Sequence, residues 1–203
     1  VKKIEPLASA EEPLLVINGD MAATFDLRRV MEDHVRHRPS VTLALRTAGD
    51  KRNVGFDPSS GLVTDMRHAL GRDPGSCQFT GAYCMEPEVF SRIPPREAVS
   101  IIPVFLDYIR RGRLRGMLAD DGLWMDMGTP ESYIQAHLDF PSPAPRIHPD
   151  AEVSPGASVD AASVIGPRAV VEEGCRLREC IVWPGVRVPA GTRAERRIFH
   201  LSL

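Results

Sequence analysis

The chain lacks the features that mark a membrane protein, a metal–thiolate centre or a nucleic-acid binder. No apolar run approaches the length of a membrane span. The first residues, Val1-Lys2-Lys3-Ile4-Glu5-Pro6, hold no apolar core segment of the kind a secretion signal needs. Positive charge is not in excess: 25 Lys and Arg stand against 27 Asp and Glu, a formal net charge of −2. With no basic stripe either, neither nucleic acid nor a membrane is an expected partner. Among the cysteines Cys77, Cys84, Cys175 and Cys180 there is no Cys-x-x-Cys pair, so zinc and thiol-exchange readings have no footing. Scattered single cysteines without a secretion signal are expected as reduced thiols, in the cytoplasm. Glycine is also missing from the start of the chain, first occurring at Gly19.

What is present is enough for a core. The 203 residues are 43% hydrophobic, which allows one large or two small domains. Leu14–Ile17 and Val41–Leu45 read as buried strands. Val54–Phe56 and Leu62–Met66 flank Asp57-Pro58-Ser59-Ser60-Gly61, a hairpin signal. Phe79–Met85 and Leu114–Ala119 read as further strands. Helices are expected over 26–38, with Asp26 as its cap, over 101–111, stopped by Gly112, and over 130–138. His34 and His37, near the end of the first helix, are expected on the surface. Strands alternating with helices imply a mostly parallel sheet covered on both faces.

After the proline-rich stretch Pro141–Pro145 the pattern changes. Apolar residues recur every six positions at Ile147, Val153, Val159, Ile165, Val171 and Leu177, then resume at Val182 and Val188 after a one-residue slip. Four positions after each stands a mostly small residue: Ala151, Ala157, Ser163, Ala169 and Cys175, then Ile181, Val186 and Thr192. A hexapeptide repeat marks a parallel β-helix of triangular coils, with the apolar residue inside and the small one at the corner. The expected division is therefore a domain over 1–140, a linker over 141–146 and a β-helix over 147–203. So short a solenoid needs a neighbour to cap it, and a homo-oligomer formed through it is expected.

Two stretches carry candidate chemistry. Leu14-Leu15-Val16-Ile17-Asn18-Gly19-Asp20 is an apolar run broken by a turn, with a carboxylate placed where ligands bind in open α/β sheets. Trp124-Met125-Asp126-Met127-Gly128-Thr129-Pro130-Glu131 puts a second carboxylate just before a helix start, with Thr129 as cap and Pro130 in the first turn. Two such carboxylates can share a hard cation whose octahedron phosphates complete. Asp120 and Asp121 form a rival acidic pair, read as a solvated turn.

These motifs resemble the sugar-1-phosphate nucleotidylyltransferases, in the branch similar to mannose-1-phosphate guanylyltransferases, from about Leu14 to Arg196. The Asn18-Gly19-Asp20 strand end resembles the family's metal-binding segment. Phe79-Thr80-Gly81-Ala82-Tyr83 resembles the strand that lines the sugar pocket, and Trp124–Pro130 the second metal-binding segment. The resemblance implies a partial nucleotidyltransferase domain, with a Rossmann-like sheet, followed by a left-handed hexapeptide β-helix. It implies Asp20 and Asp126 as ligands of Mg2+. It implies Asn18, Gly19, Thr80 and Gly81 at the substrates, a nucleoside triphosphate and a sugar 1-phosphate. Where the family has Glu-Lys-Pro after the hairpin, this chain reads Asp65-Met66-Arg67, and Arg67 is the expected substitute cation. The family's upstream glycine-rich nucleotide loop has no counterpart before Leu14. The resemblance thus implies a chain that starts partway through the catalytic domain and has little activity alone. A non-catalytic subunit and a hexapeptide acyltransferase are the alternative readings.

Overall fold

Apolar, β-branched runs bounded by turn residues become the strands of a six-stranded sheet in a computed structural model that describes residues 1–95, 99–140 and 144–201. The chain forms two units, Val1–Trp124 and Met125–Leu203. In the first, the elements are β1 (Leu14–Ile17), β2 (Met21–Ala23), α1 (Leu27–His37), β3 (Val41–Arg46), β4 (Val54–Asp57), β5 (Leu62–Met66), β6 (Gln78–Met85), α2 (Ile102–Arg110) and β7 (Leu114–Leu118), and β8 (Trp124–Asp126) begins at its last residue. The sheet order is β1-β6-β3-β7-β5-β4. At its centre β3 and β7 are parallel, Val41 opposite Leu114 and Leu45 opposite Leu118.

The expectation of parallel strands holds at that centre and is corrected at the flanks. β1 is no buried parallel strand: it lies antiparallel against β6 at the sheet edge, Ile17 opposite Ala82, and is half-buried. β6 is also antiparallel to β3, and β4 to β5. Short connections such as the Asp57–Gly61 turn can return the chain only antiparallel; parallel neighbours need a long crossover.

Alternation along the central strands builds two unlike faces. Leu43, Leu45, Tyr83 and Met85 pack on one side with Val104, Phe105, Tyr108 and Ile109 of α2. Tyr83 and Phe105 meet edge-on with ring centroids 5.2 Å apart. The small residues Ala44, Ala82 and Cys84 face the other way and admit Val30 of α1. Asp26 caps α1 by accepting from the Arg28 N–H at 2.9 Å, and Gly112, at φ 63°, follows the end of α2. The four cysteines are unpaired and buried, and burial pushes the Cys84 thiol up to about 12.

His34 is the other correction. It is fully buried on the sheet side of α1, with Nδ1 2.9 Å from Thr42 Oγ1 and Nε2 3.2 Å from Glu86 Oε1. A helical repeat of Val30 and His34 puts both on one face, and two polar partners make burial of the ring tolerable. Burial lowers its pKa, and Glu86 opposes the shift only in part. A histidine whose pKa is lower folded than unfolded binds its proton more readily in the unfolded chain. Stability should therefore fall as pH drops below about 6.5 and level off below the folded-state pKa. Urea midpoints between pH 8 and pH 5 test this: His34→Gln should flatten the acid-side decline.

The second unit opens with α3 (Pro130–Asp139), where Thr129 and Ser132 form a reciprocal capping box. Two- and three-residue strands follow: β9 (Glu152–Val153), β10 (Ser158–Val159), β11 (Val164–Ile165), β12 (Val170–Val171), β13 (Arg176–Arg178), β14 (Ile181–Val182), β15 (Arg187–Val188), β16 (Arg193–Glu195) and β17 (Ile198–Phe199). They form three parallel ladders, β9-β12-β15, β10-β13-β16 and β11-β14-β17, an arrangement that fits a triangular β-helix. Val153, Val171 and Val188 stack inside, as do Ile165, Val182 and Phe199.

Partners are 18 residues apart in the first coils, as for Val159 and Leu177, and 17 apart in the next, as for Ile165 and Val182. The slip is taken up at Glu179, whose backbone is left-handed (φ 49°) and whose N–H is 3.2 Å from Asp160 Oδ1. The corner residue after Leu177 is consequently Cys180, and Ile181 lies in β14 instead of the expected corner. Arg146 ties α3 to the coils, donating to the carbonyls of His137 at 2.7 Å and Ala162 at 3.3 Å. Compactness thus divides the chain before α3. Within the linker expected over 141–146, residues 141–143 lie outside the described ones. No described helix is long and apolar enough to cross a membrane.

Candidate active site

The pairing of β1 with β6 delivers Asn18 to Gly81. One residue past the last paired position, the Asn18 N–H donates to the Gly81 carbonyl at 3.0 Å. Gly81 has φ +89°, and a Cβ there would lie 3.0 Å from Asn18 Nδ2. Only glycine satisfies both the backbone and the close approach. Asn18, Gly19 and Asp20 then run out exposed, with open space around Gly19. Gly81→Ala should destabilise the fold by roughly 1–2 kcal/mol and push the Asn18 side chain aside, read by thermal melting and by the Asn18 side-chain amide in NMR spectra.

Thr80 faces the interior. Its hydroxyl donates to Ala44 O at 2.9 Å and accepts from the Ala82 N–H at 3.2 Å, and the residue is 2% exposed. The side chain is thus engaged in fixing the strand. The Thr80 carbonyl accepts from Trp124 Nε1 at 2.8 Å. Sequence reading put Trp124 at the start of the second candidate segment but gave its indole N–H, two positions before Asp126, no role of its own. Thr24 and Leu123 hold the approach to Trp124, the Thr24 N–H donating to Leu123 O at 3.0 Å and the Leu123 N–H to Thr24 Oγ1 at 2.9 Å.

Arg67 is exposed and left-handed (φ 56°), and its N–H donates to Asn53 O at 2.6 Å. The neighbouring residue, Val54, bridges Cys77 just before β6. The backbone of Arg67 is thus anchored at the start of the strand that carries Thr80 and Gly81. Buried Asp65 organises this segment. Burial by itself would raise its pKa, but the N–H groups of Arg72, Leu70, Met66 and Asp73 overcome this and hold it below the ordinary carboxylate value.

The rival acidic pair has structural duties. Asp120 accepts from the Thr47 N–H at 2.9 Å and its hydroxyl at 3.0 Å, and Asp121 pairs with Arg29 at 2.6 Å. Asp126 lies in the second unit, half-buried, with Oδ1 accepting from the Gly128 N–H at 2.9 Å as the chain enters α3. Among the described residues no three His, Cys, Asp or Glu side chains form a metal cage. Mg2+ needs no such cage, because it takes one or two carboxylates and completes its octahedron with water and phosphate. The exposed carboxylate of Asp20 is a hard-oxygen donor of the kind this ion takes.

Residues 1–142 match the nucleotidyl transferase family, and the chain belongs to it. Among similar proteins, mannose-1-phosphate guanylyltransferase of Mycobacterium tuberculosis is 34% identical over 201 residues, which cover 90% of this chain and 55% of that protein. Mannose-1-phosphate guanylyltransferase 1 of Arabidopsis thaliana is 27% identical over 202 residues, covering 90% and 56%. The chain spans about half the length of the curated relatives it matches. A crystal structure described as a glucose-1-phosphate thymidylyltransferase of Bacillus anthracis shares the fold, with a TM-score of 0.54 and 22% identity over 66% of this chain and 56% of that one.

Proposed function

We propose that this protein transfers a guanylyl group from GTP to mannose 1-phosphate, giving GDP-mannose and pyrophosphate. The observation that supports this reading is the Asn18–Gly81 junction, from which Asp20 follows two residues further along the chain, in a member of this family. A sugar-phosphate oxygen forms a bond to the α-phosphorus as the bond to the pyrophosphate oxygen breaks. The attacking phosphate is already largely a dianion near neutral pH, since its second ionisation lies near ~6, so no strong general base is required. The protein's task is alignment and neutralisation of charge.

In this reading Asp20 and Asp126 are the residues that would hold Mg2+, which would offset phosphate charge. Asn18, Gly19 and the Gly81 backbone face the sugar, and Thr80 positions that strand from behind. Arg67 offers its guanidinium to the sugar phosphate. The second unit, read as a left-handed β-helix, joins copies of the chain into a homo-oligomer, and the protein works in the cytoplasm.

Two measurements test the proposal. Mannose 1-phosphate with Mg2+ should shift the amide resonances of Gly19 and Gly81. GDP-mannose formation should exceed product formation from glucose 1-phosphate with UTP or TTP. Faster turnover of another pair, or no shift at either glycine together with no turnover, would overturn it.

A further inference from the structure

A second polar cleft lies in the first unit, away from the Asn18–Gly81 junction. It measures about 380 Å³ and is walled by the start of β3, the segment between α2 and β7, and the turn at Glu88–Arg92. Ser40, which precedes β3, lies at the Met85 end of β6; Gly81 sits nearer the other end of that strand. Arg92, Arg111 and Arg113 all line the cleft. Two carboxylates face them. Arg111 Nε is held by Asp107 Oδ2 at 3.0 Å, and an Arg113 terminal nitrogen stands 4.0 Å from Glu88. Among the described residues, three arginines thus stand against two carboxylates.

The cleft is built from locked parts. Arg113 Nε donates to Ser40 Oγ at 3.2 Å, and Ser40 Oγ donates to Glu88 Oε1 at 2.7 Å. The Arg113 carbonyl accepts from the Ser40 N–H at 2.9 Å, and the Arg113 N–H donates to Tyr108 O at 2.9 Å. These bonds use Arg113 Nε and leave its terminal nitrogens directed to other partners. Tyr108 also lines the cleft. The residue is 5% exposed, and its hydroxyl, which has no hydrogen-bond partner among the described residues, is available as a neutral donor to whatever enters.

We propose that this cleft binds the phosphate group of a small phosphorylated metabolite, with Arg92 and Arg113 as charge-assisted donors and the Tyr108 hydroxyl as a neutral one. Planar guanidiniums match phosphate oxygens in geometry as well as charge. The volume admits a group larger than phosphate, so an ester such as a hexose 6-phosphate fits as well as the free anion. The site stands independently of the transferase reading, because none of its residues belongs to the candidate active site.

Titration of the 203-residue chain by NMR separates the two. Glucose 6-phosphate and inorganic phosphate are the probes, each added without Mg2+ or nucleotide. Saturable shifts are expected at the amides of Ser91, Arg92 and Arg113, with Gly19 and Gly81 unmoved. Arg92→Ala should weaken binding by about tenfold, and Arg92→Lys should restore part of it. Tighter binding of the ester identifies a phosphorylated metabolite as occupant; equal binding identifies the free anion. No saturable shift at those residues with either probe, or an affinity unchanged by Arg92→Ala, would overturn the proposal. Unchanged spectra elsewhere confirm that the exposed Arg92 substitution leaves the fold intact.

Discussion

Asp65→Ala is expected to destabilise the first unit by about 3–5 kcal/mol, since each buried donor left without a partner costs roughly 1–3 kcal/mol. Asp65 is fully buried, and its two oxygens accept from Met66 at 2.7 Å, Leu70 at 3.0 Å, Arg72 at 2.9 Å and Asp73 at 3.4 Å. Water entering the collapsed loop recovers part of the loss, which keeps the figure below the full sum. Asp65→Asn should fall between, because an amide keeps one acceptor and sets its NH2 against donors. The same carboxylate gives a pH dependence. Its pKa is lower folded than unfolded, so the unfolded chain takes up the proton first as pH falls. The stabilisation is complete above the unfolded value of about 4 and disappears as pH drops through the folded value. Urea midpoints between pH 6 and pH 2.5 should show a smaller loss in Asp65→Ala than in the wild type, the remainder coming from other carboxylates held low, such as Asp57 and Asp160.

The effect reaches function through Arg67. Arg67 and His68 are consecutive left-handed residues, φ 56° and 55°, a conformation that costs about 1–2 kcal/mol for each side-chain-bearing residue. The ring of N–H donors around Asp65 holds them there. Gly55 adds a close approach: a Cβ at that point would lie 2.5 Å from the Asp73 side chain. Asp65→Ala should therefore broaden the Arg67 and Arg72 amide resonances under conditions where the sheet core remains folded.

How much of this was legible in sequence follows from the range of each interaction. The six-residue repeat was legible because each turn of chain repeats the same local demand, an inward apolar residue and then a turn; at the slip the corner was put at Ile181, which lies in β14. The Thr129 and Asp26 caps were legible because a cap is a local contact, although the reciprocal partner Ser132 was not read. The partner of β1 was not. An apolar run of four residues reads alike in a parallel interior and at an antiparallel edge; only the register with β6, over sixty positions later, separates them. His34 was misplaced because a polar residue on a helix is taken as exposed unless its partners, Thr42 and Glu86, are known. The orientation of Thr80 was not legible either: strand parity across β6 turns its hydroxyl inward to the Ala44 carbonyl. At Asp65, hairpin spacing showed the turn but gave no hint that a carboxylate would be its hub.

Asp20→Asn and Asp126→Asn should each lower GDP-mannose formation by about 100-fold or more, the scale set by loss of one preorganised charge-stabilising group. The double variant should be at most about tenfold slower than either single one. Two groups that act independently multiply their effects, to ~10⁴-fold here; two that hold the same ion do not, because the first loss already forfeits what the second supports. Each single variant should also need more Mg2+ for half-maximal rate. Asparagine suits this test. At position 126 it keeps an Oδ1 for the Gly128 N–H, now accepted at 2.9 Å, so the start of α3 survives while the charge is lost. At position 20 the side chain is exposed, so packing does not change. A thermal midpoint within a degree or two of wild type separates loss of charge from loss of fold. Multiplicative effects, or a single variant that turns over at the wild-type rate, would remove the shared cation from the mechanism.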